Sequence, residues 1–310
     1  GLDMKYLWRL LALLATGAVV AAVLLGCAPE GPADSPAAFA DPSGPAYARV
    51  IVTSDFGAHL LLDAVVGIET GTTAMEALQS VAEVQTAYGG GFVRSINGMG
   101  EGTSKADWFY YVNGLTARTG AMGYVLRDGD VEHWDFHPWS AYRGLSAVMG
   151  SFPWAFVNGY GGGNNPALIA YEPEYAGEAA EVIVLLRSAG ATDVSALPLE
   201  QLTLERMASS HLVLLAGADA SAVREVFERR SKLGLFVSLD GDVMRAFSAS
   251  GDERAVYDRG VGVLVATQNP WNPKGTGACE NVVVVASGCD EAGVRAAARK
   301  LIDAPERFLT

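Results

Sequence analysis

The stretch Trp108-Phe-Tyr-Tyr-Val-Asn-Gly114 constrains this chain more than any other. Successive side chains of a β-strand point to opposite faces, so a half-buried strand alternates apolar and polar residues. Here Trp108, Tyr110 and Val112 share one face and Phe109 and Tyr111 the other, and Asn113-Gly114 is a turn signal that closes the run. A strand with rings on both sides either is covered by protein twice or keeps one side for something flat and large.

The residues around it read as a small mixed domain. Residues 48–53 and 59–66 have strand patterns. Thr73 followed three positions later by Glu76 is a capping box, opening a helix whose apolar positions 74, 77, 78 and 81 follow helical spacing. This helix is expected over 73–87, ended by Gly89-Gly90-Gly91. Residues 92–96 form a strand closed by Asn97-Gly98, and residues 131–137 a last strand entered through Arg127-Asp-Gly-Asp130. A mixed sheet wrapping a single helix, as in β-grasp domains, satisfies this ββαβββ order with short connections. Phe109 and Tyr111 are expected on the helix side, which leaves Trp108 and Tyr110 pointing away from it.

Further on the character changes. Residues 140–166 contain aromatics with little period and read as a connecting segment. From residue 167 helices and strands alternate: helix 175–189 stopped by Gly190, strand 211–216, a helix capped by Asp219, strands 234–239, 261–266 and 281–287, and helix 290–303 capped by Asp290. The runs Val261-Gly-Val-Leu-Val265 and Val282-Val-Val-Val285 have the continuous apolar character of buried parallel strands. Residues 167–310 are therefore expected to form a three-layer α/β domain with a largely parallel sheet. The fold class is α+β: a β-grasp-like domain at 47–139, a connection at 140–166, then the α/β domain.

A chain of 310 residues has room for roughly two domains at about 150 residues each. Its formal net charge of −13 would repel a phosphate backbone, which excludes nucleic acid as a partner. Near the N-terminus Lys5 and Arg9 precede residues 10–26, which carry no charge, and then Cys27. This is a secretory signal, short for a spanning helix, which needs about 20 residues. Leu24-Leu25-Gly26-Cys27 resembles the lipobox of bacterial lipoproteins. That resemblance implies a signal peptide at 1–27, lipidation of Cys27, and a location outside the cytoplasmic membrane, anchored to its lipid bilayer. The alternative is an uncleaved anchor helix with an unrelated cysteine. The proline-rich residues 28–46 read as a tether. Cys279 and Cys289 invite a disulfide in an exported protein, yet they flank a straight apolar run that could hold them too far apart, and the bond is left open. No further ligand stands at a zinc-site spacing from this pair.

No nucleophile elbow, phosphate-binding loop or paired carboxylate cleft is visible, so the sequence gives no catalytic residues and is not read as an enzyme. His133, Asp135 and His137 at i, i+2 and i+4 share one face of a strand. Such a row is a solvated polar face, an axial or contact imidazole for a bound cofactor, or a zinc site. Trp108, Phe109, Tyr110 and Tyr111 are joined by Trp134, Phe136, Trp139 and Tyr142 into one wall of rings, either facing outward as an apolar patch or covered by the second domain.

Thr70-Gly-Thr-Thr-Ala-Met-Glu-Ala-Leu78, Trp108-Phe-Tyr-Tyr-Val-Asn-Gly114, Asp128-Gly-Asp130 and Trp134-Asp-Phe136 resemble, in order and spacing, the transcobalamin-like C-terminal domain family. In the vitamin B12 carriers that β-grasp-like module covers one face of the corrin ring. The resemblance implies a binding protein for cobalamin or a related corrinoid, serving uptake and handing its cargo to a membrane transporter. Trp108, Tyr110, Asn113, His137 and Trp139 are the expected ligand contacts, with no resident metal. The alternative is a cell-surface interaction or adaptor module without a small-molecule ligand.

Overall fold

The computed structural model describes residues 45–100, 105–138 and 145–305. In chain order its first strands are β1 (Ala46–Ser54), β2 (His59–Ile68), β3 (Val84–Ala87), β4 (Phe92–Ile96), β5 (Ala106–Val112), β6 (Leu115–Thr116) and β7 (Val131–Pro138). Five of them form one sheet in the order β2-β1-β7-β5-β6, with β1 and β7 parallel at its centre and the other neighbours antiparallel. Alternation sets what each face buries. Ala48, Val50 and Val52 of β1 lie in one core, while Ile51 and Thr53 are buried on the opposite side.

Helix α1 (Ala74–Val81) starts where the capping box puts it. Thr73 Oγ1 accepts from the Glu76 amide at 3.2 Å, and the Glu76 carboxylate accepts from the Thr73 amide at 2.8 Å. The helix stops at Val81 rather than continuing to residue 87. Val84 and Thr86 are β-branched and pair with Ile96 and Val93, so the end of the expected helix is instead a strand of the β3–β4 hairpin. Ala74, Met75, Ala77 and Leu78 of α1 pack against β1, β5 and β7.

The remaining elements are α2 (Trp154–Val157), β8 (Ala167–Tyr171), α3 (Ala176–Ser188), β9 (Val194–Pro198), α4 (Leu204–Ser209), β10 (His211–Leu215), α5 (Ser221–Glu228), α6 (Arg230–Leu233), β11 (Val237–Asp240), β12 (Val243–Phe247), β13 (Glu253–Tyr257), β14 (Gly262–Gln268), β15 (Val282–Gly288) and α7 (Glu291–Asp303). The second sheet runs β14-β15-β10-β8-β9 and is parallel except at β14. Helices α3 and α7 cover one face through Val182, Leu186, Val294 and Leu301, and α5 covers the other through Val223, Val226 and Phe227. These are the three layers. Helix α7 lies so close to the sheet that a β-carbon on Gly262 would stand 2.1 Å from the Gly293 carbonyl oxygen, which is why both positions are glycine.

Three expectations are corrected here. The 261–265 run is an antiparallel edge strand, because apolar runs follow from burial on two faces and carry no strand direction. Residues 237–240 belong to a separate antiparallel sheet, β11-β12-β13. Helix α5 takes Ala220 as its N-cap, without a side-chain cap, so Asp219 does not cap it. Cys279 and Cys289 are both buried free thiols. Among the described residues both five-stranded sheets belong to one compact unit.

Candidate binding site

Strand β5 is covered on both faces. Trp108, Tyr110 and Val112 point toward α1: Trp108 is 8% exposed in the α1 core, and Tyr110 stacks on Trp134 with ring centroids 4.7 Å apart. Phe109 and Tyr111 face the other way, against Leu145, Val148, Phe56 and Phe236. The expected assignment of faces is thus reversed, and neither face is open. Leu115, Ala147, Met149 and Phe156 join the core of the second sheet, so the segment after residue 144 is the cover of this side.

That second face also carries the histidine row, and it is buried rather than solvated. Thr53, His133, Asp135 and His137 are each at most 1% exposed. Asp135 collects donors: Thr53 Oγ1 at 2.6 Å and the Gly57 amide at 3.0 Å on Oδ1, the Phe56 amide at 3.1 Å and His137 Nδ1 at 2.5 Å on Oδ2. Burial pushes this carboxyl up, and the hydrogen bonds from His137 and Thr53 outweigh it, holding Asp135 below the ordinary range. Since Thr53 gives its proton to the carboxylate, His133 Nε2, 2.8 Å from Thr53 Oγ1, is the donor in that contact. Burial pushes His133 down to about 4, which keeps it neutral. Its Nδ1 and the Nε2 of His137 are buried without a partner among the described residues. The His137 ring is sandwiched between Phe109 at 3.9 Å and Phe56 at 4.3 Å. Among the described residues no group of three His, Cys, Asp or Glu side chains is placed to hold a metal ion.

Asn113, expected to reach a ligand, is a fully buried pin. Its Nδ2 donates to Asp130 Oδ1 and to the Gly159 carbonyl, each at 2.8 Å, and its Oδ1 accepts from the Val131 amide at 2.8 Å. The same Asp130 accepts from Tyr124 and from the Arg127 amide, so the Asp-Gly-Asp signal builds a turn that fixes β5 against β7. On the α1 side, Glu132 is also fully buried. Trp134 Nε1 donates to its Oε1 at 2.5 Å, Oε2 has no partner among the described residues, and burial pushes its pKa up to about 8. Trp139 and Cys27 lie outside the described residues.

Aromatic surface does reach solvent elsewhere, at a place the sequence reading missed. Tyr88, at the tip of the β3–β4 hairpin, is 90% exposed and meets Phe92 edge-on at 6.3 Å. Met122 lies over the same tip: a β-carbon on Gly90 would stand 2.6 Å from its sulfur. Tyr88 adopts a left-handed backbone at φ 52°, which costs a residue with a β-carbon roughly 1–2 kcal/mol. The sequence signal was there: a tyrosine beside three glycines between two strand patterns, rather than a helix end. A second opening, an apolar cleft of about 240 Å³, lies between the two sheets and is lined by Phe56, Leu145, Val148, Phe236 and Val263–Ala266. It is below the size of sites that enclose drug-sized ligands, about 300–1,000 Å³, and too small for a macrocycle.

Residues 71–138 match the model of a family described as a domain of unknown function, DUF4430. The match runs from the approach to α1 through the end of β7. A crystal structure of a "putative metal binding protein" from Ruminococcus gnavus ATCC 29149 aligns at 16% identity over 30% of this chain and 97% of that one, with a TM-score of 0.23. A likeness that weak carries no argument about this chain. No curated protein matches the sequence.

Proposed function

We propose that this chain is an exported, lipid-anchored binding protein that captures a corrinoid at the cell surface and passes it to a membrane transporter. Residues 1–27 would be its signal and Cys27 the point of attachment to the bilayer. The role is binding, not catalysis. The family match over 71–138 is consistent with the transcobalamin-like resemblance, and it covers both the buried wall and the exposed tip.

One observation carries the choice of site: at the tip, two exposed rings, Tyr88 and Phe92, meet edge-on beside the exposed Met122. Trp108 and Tyr110 are spent in the α1 core, Asn113 holds a turn, and His137 lies between two phenylalanines. A partly apolar macrocycle laid on Tyr88 and Phe92 buries much area while fixing few side-chain rotors. A strained residue holding an exposed ring is also what an observed backbone outlier at a binding site looks like.

Equilibrium dialysis of the purified full chain against cyanocobalamin and cobinamide, read by visible absorbance, tests the reading. Binding is expected, weakened by roughly 1–3 kcal/mol in Tyr88→Ala and in Phe92→Ala, as for aromatic anchors generally. No detectable binding of either corrinoid would retire the ligand and leave the adaptor alternative. Binding that both variants leave intact would retire the tip.

A further inference from the structure

The sheet edges of this molecule are unequal. Among the described residues, β13 begins with Glu253 and Arg254, β9 ends in Pro198, β6 has two residues, and β14 is covered where Gln268 bonds to Ser146. These are the usual protections against unwanted strand pairing. Strand β2 has none of them beyond one bulge near its start. It is ten residues long, His59-Leu-Leu-Leu-Asp-Ala-Val-Val-Gly-Ile68, and contains no proline or lysine. Among the described residues it pairs only with β1. Its one carboxylate, Asp63, is held by Arg49 at 2.6 and 2.8 Å. Leu62 stands opposite Val52 and Leu60 opposite Thr53, which makes Leu61 the bulged residue and leaves 62–68 regular. Along that regular run Val66 and Ile68 enter the α1 core, while Val65 is 62% exposed, with Leu61 and Tyr47 exposed nearby.

We propose that β2 pairs antiparallel with β2 of a second copy of this chain, about a two-fold axis at Val65, so that two sheets become one. The sequence is self-complementary in that register. Val65 meets its own copy, Ala64 meets Val66, Leu62 meets Ile68, and Asp63 falls opposite Gly67, so no two carboxylates face each other. A strand from an unrelated protein would satisfy the same backbone groups, and the self-matching of charge and size in this register is what favours a second copy. The contact is small beside a standard interface of about 1,600 Å², so the dimer is reversible and depends on concentration.

Sedimentation velocity of the full chain over a wide concentration range, with two cysteine variants, decides. The wild type is expected to move from monomer to dimer. Val65→Lys should weaken association roughly tenfold or more, because two ammonium groups would face each other across the axis. Its thermal midpoint should stay with that of the wild type, since the side chain is exposed. Under mild oxidation Val65→Cys should give a covalent dimer. Tyr47→Cys, on β1 opposite Gly67, should not, because three strand spacings and a four-residue offset along the strands would keep the two sulfurs roughly 20 Å apart. The wild type on the same non-reducing gel sets the background from Cys27. A wild type monomeric throughout, a dimer unchanged by Val65→Lys, or equal cross-linking of the two cysteine variants would each overturn the pairing.

Discussion

Glu132 and Asp135 sit three residues apart on β7, both out of solvent, on opposite faces of the sheet, and they titrate in opposite directions. Asp135 receives four close donors, and Glu132 receives one, from Trp134. Burial opposes the charged form in both, so the number of donors aimed at each carboxyl decides the outcome. The face away from α1 is a hydrogen-bonded polar layer that holds the β1–β2 turn to β7 through the Phe56 and Gly57 amides. The α1 face is an apolar core with a carboxylic acid left inside it.

The largest effect expected from breaking this contrast is on the Asp135 side. Asp135→Ala leaves His137 Nδ1, Thr53 Oγ1 and two backbone amides without their acceptor in a buried layer. Each buried donor left without its acceptor costs about 1–3 kcal/mol, so urea unfolding should show a loss of about 5 kcal/mol or more. A loss under 1 kcal/mol would mean that water replaces the carboxylate and the layer is not sealed.

Next is the pH dependence carried by Glu132. An unfolded glutamate titrates near its ordinary value of 4.5, and the buried one near 8. Below the lower value both states hold the proton, and stability does not change with pH on this account. Between the two values the unfolded chain releases the proton while the folded chain keeps it, so stability falls as pH rises and levels off above about 8. At 1.36 kcal/mol per unit the fall is roughly 5 kcal/mol. Asp135 acts at the other end: its depressed value contributes stability that is lost as pH falls through the acid range. Thermal midpoints of Glu132→Gln should lack the fall between pH 5 and 8 (roughly the window those values bracket) and keep the acid loss. A wild type with no fall in that window would show that Glu132 is hydrated in the folded state.

How far the sequence determines these features depends on whether their causes are local. The capping box of α1 joins neighbours in the chain and was legible, as was the cap of α7, where Asp290 accepts from the Gly293 amide at 2.8 Å. The faces of β5 were not, because rings stand on both and no alternation chooses between them. The histidine row could not be told from a solvated face, since its partner Thr53 lies 80 and 82 positions away from His133 and Asp135. The direction of β14 depends on β15, some twenty residues on, and an apolar run leaves it open. The aromatic wall was legible as a cluster, and it is α1 on the Trp108 side and the cover from 145–156 on the Tyr111 side that make it interior.

The smallest effect is expected where the same residue type stands outside. Trp108→Ala empties a buried site and should cost about 3–5 kcal/mol. At Tyr88 a change to alanine should stay within about 0.5 kcal/mol, the usual range for surface positions. Tyr88→Gly is the sharper variant. The left-handed backbone at φ 52° suits glycine, so the strain is relieved, while the freer unfolded chain takes back part of the gain. The net should lie between no change and about 1 kcal/mol of added stability, with corrinoid binding lost as fully as in Tyr88→Ala. Stability that rises while binding falls would mark the tip as a place where the ring is kept for contact with something outside the fold. A variant destabilised as much as Trp108→Ala would instead make Tyr88 part of the packing, and the contrast between the two aromatic clusters would collapse.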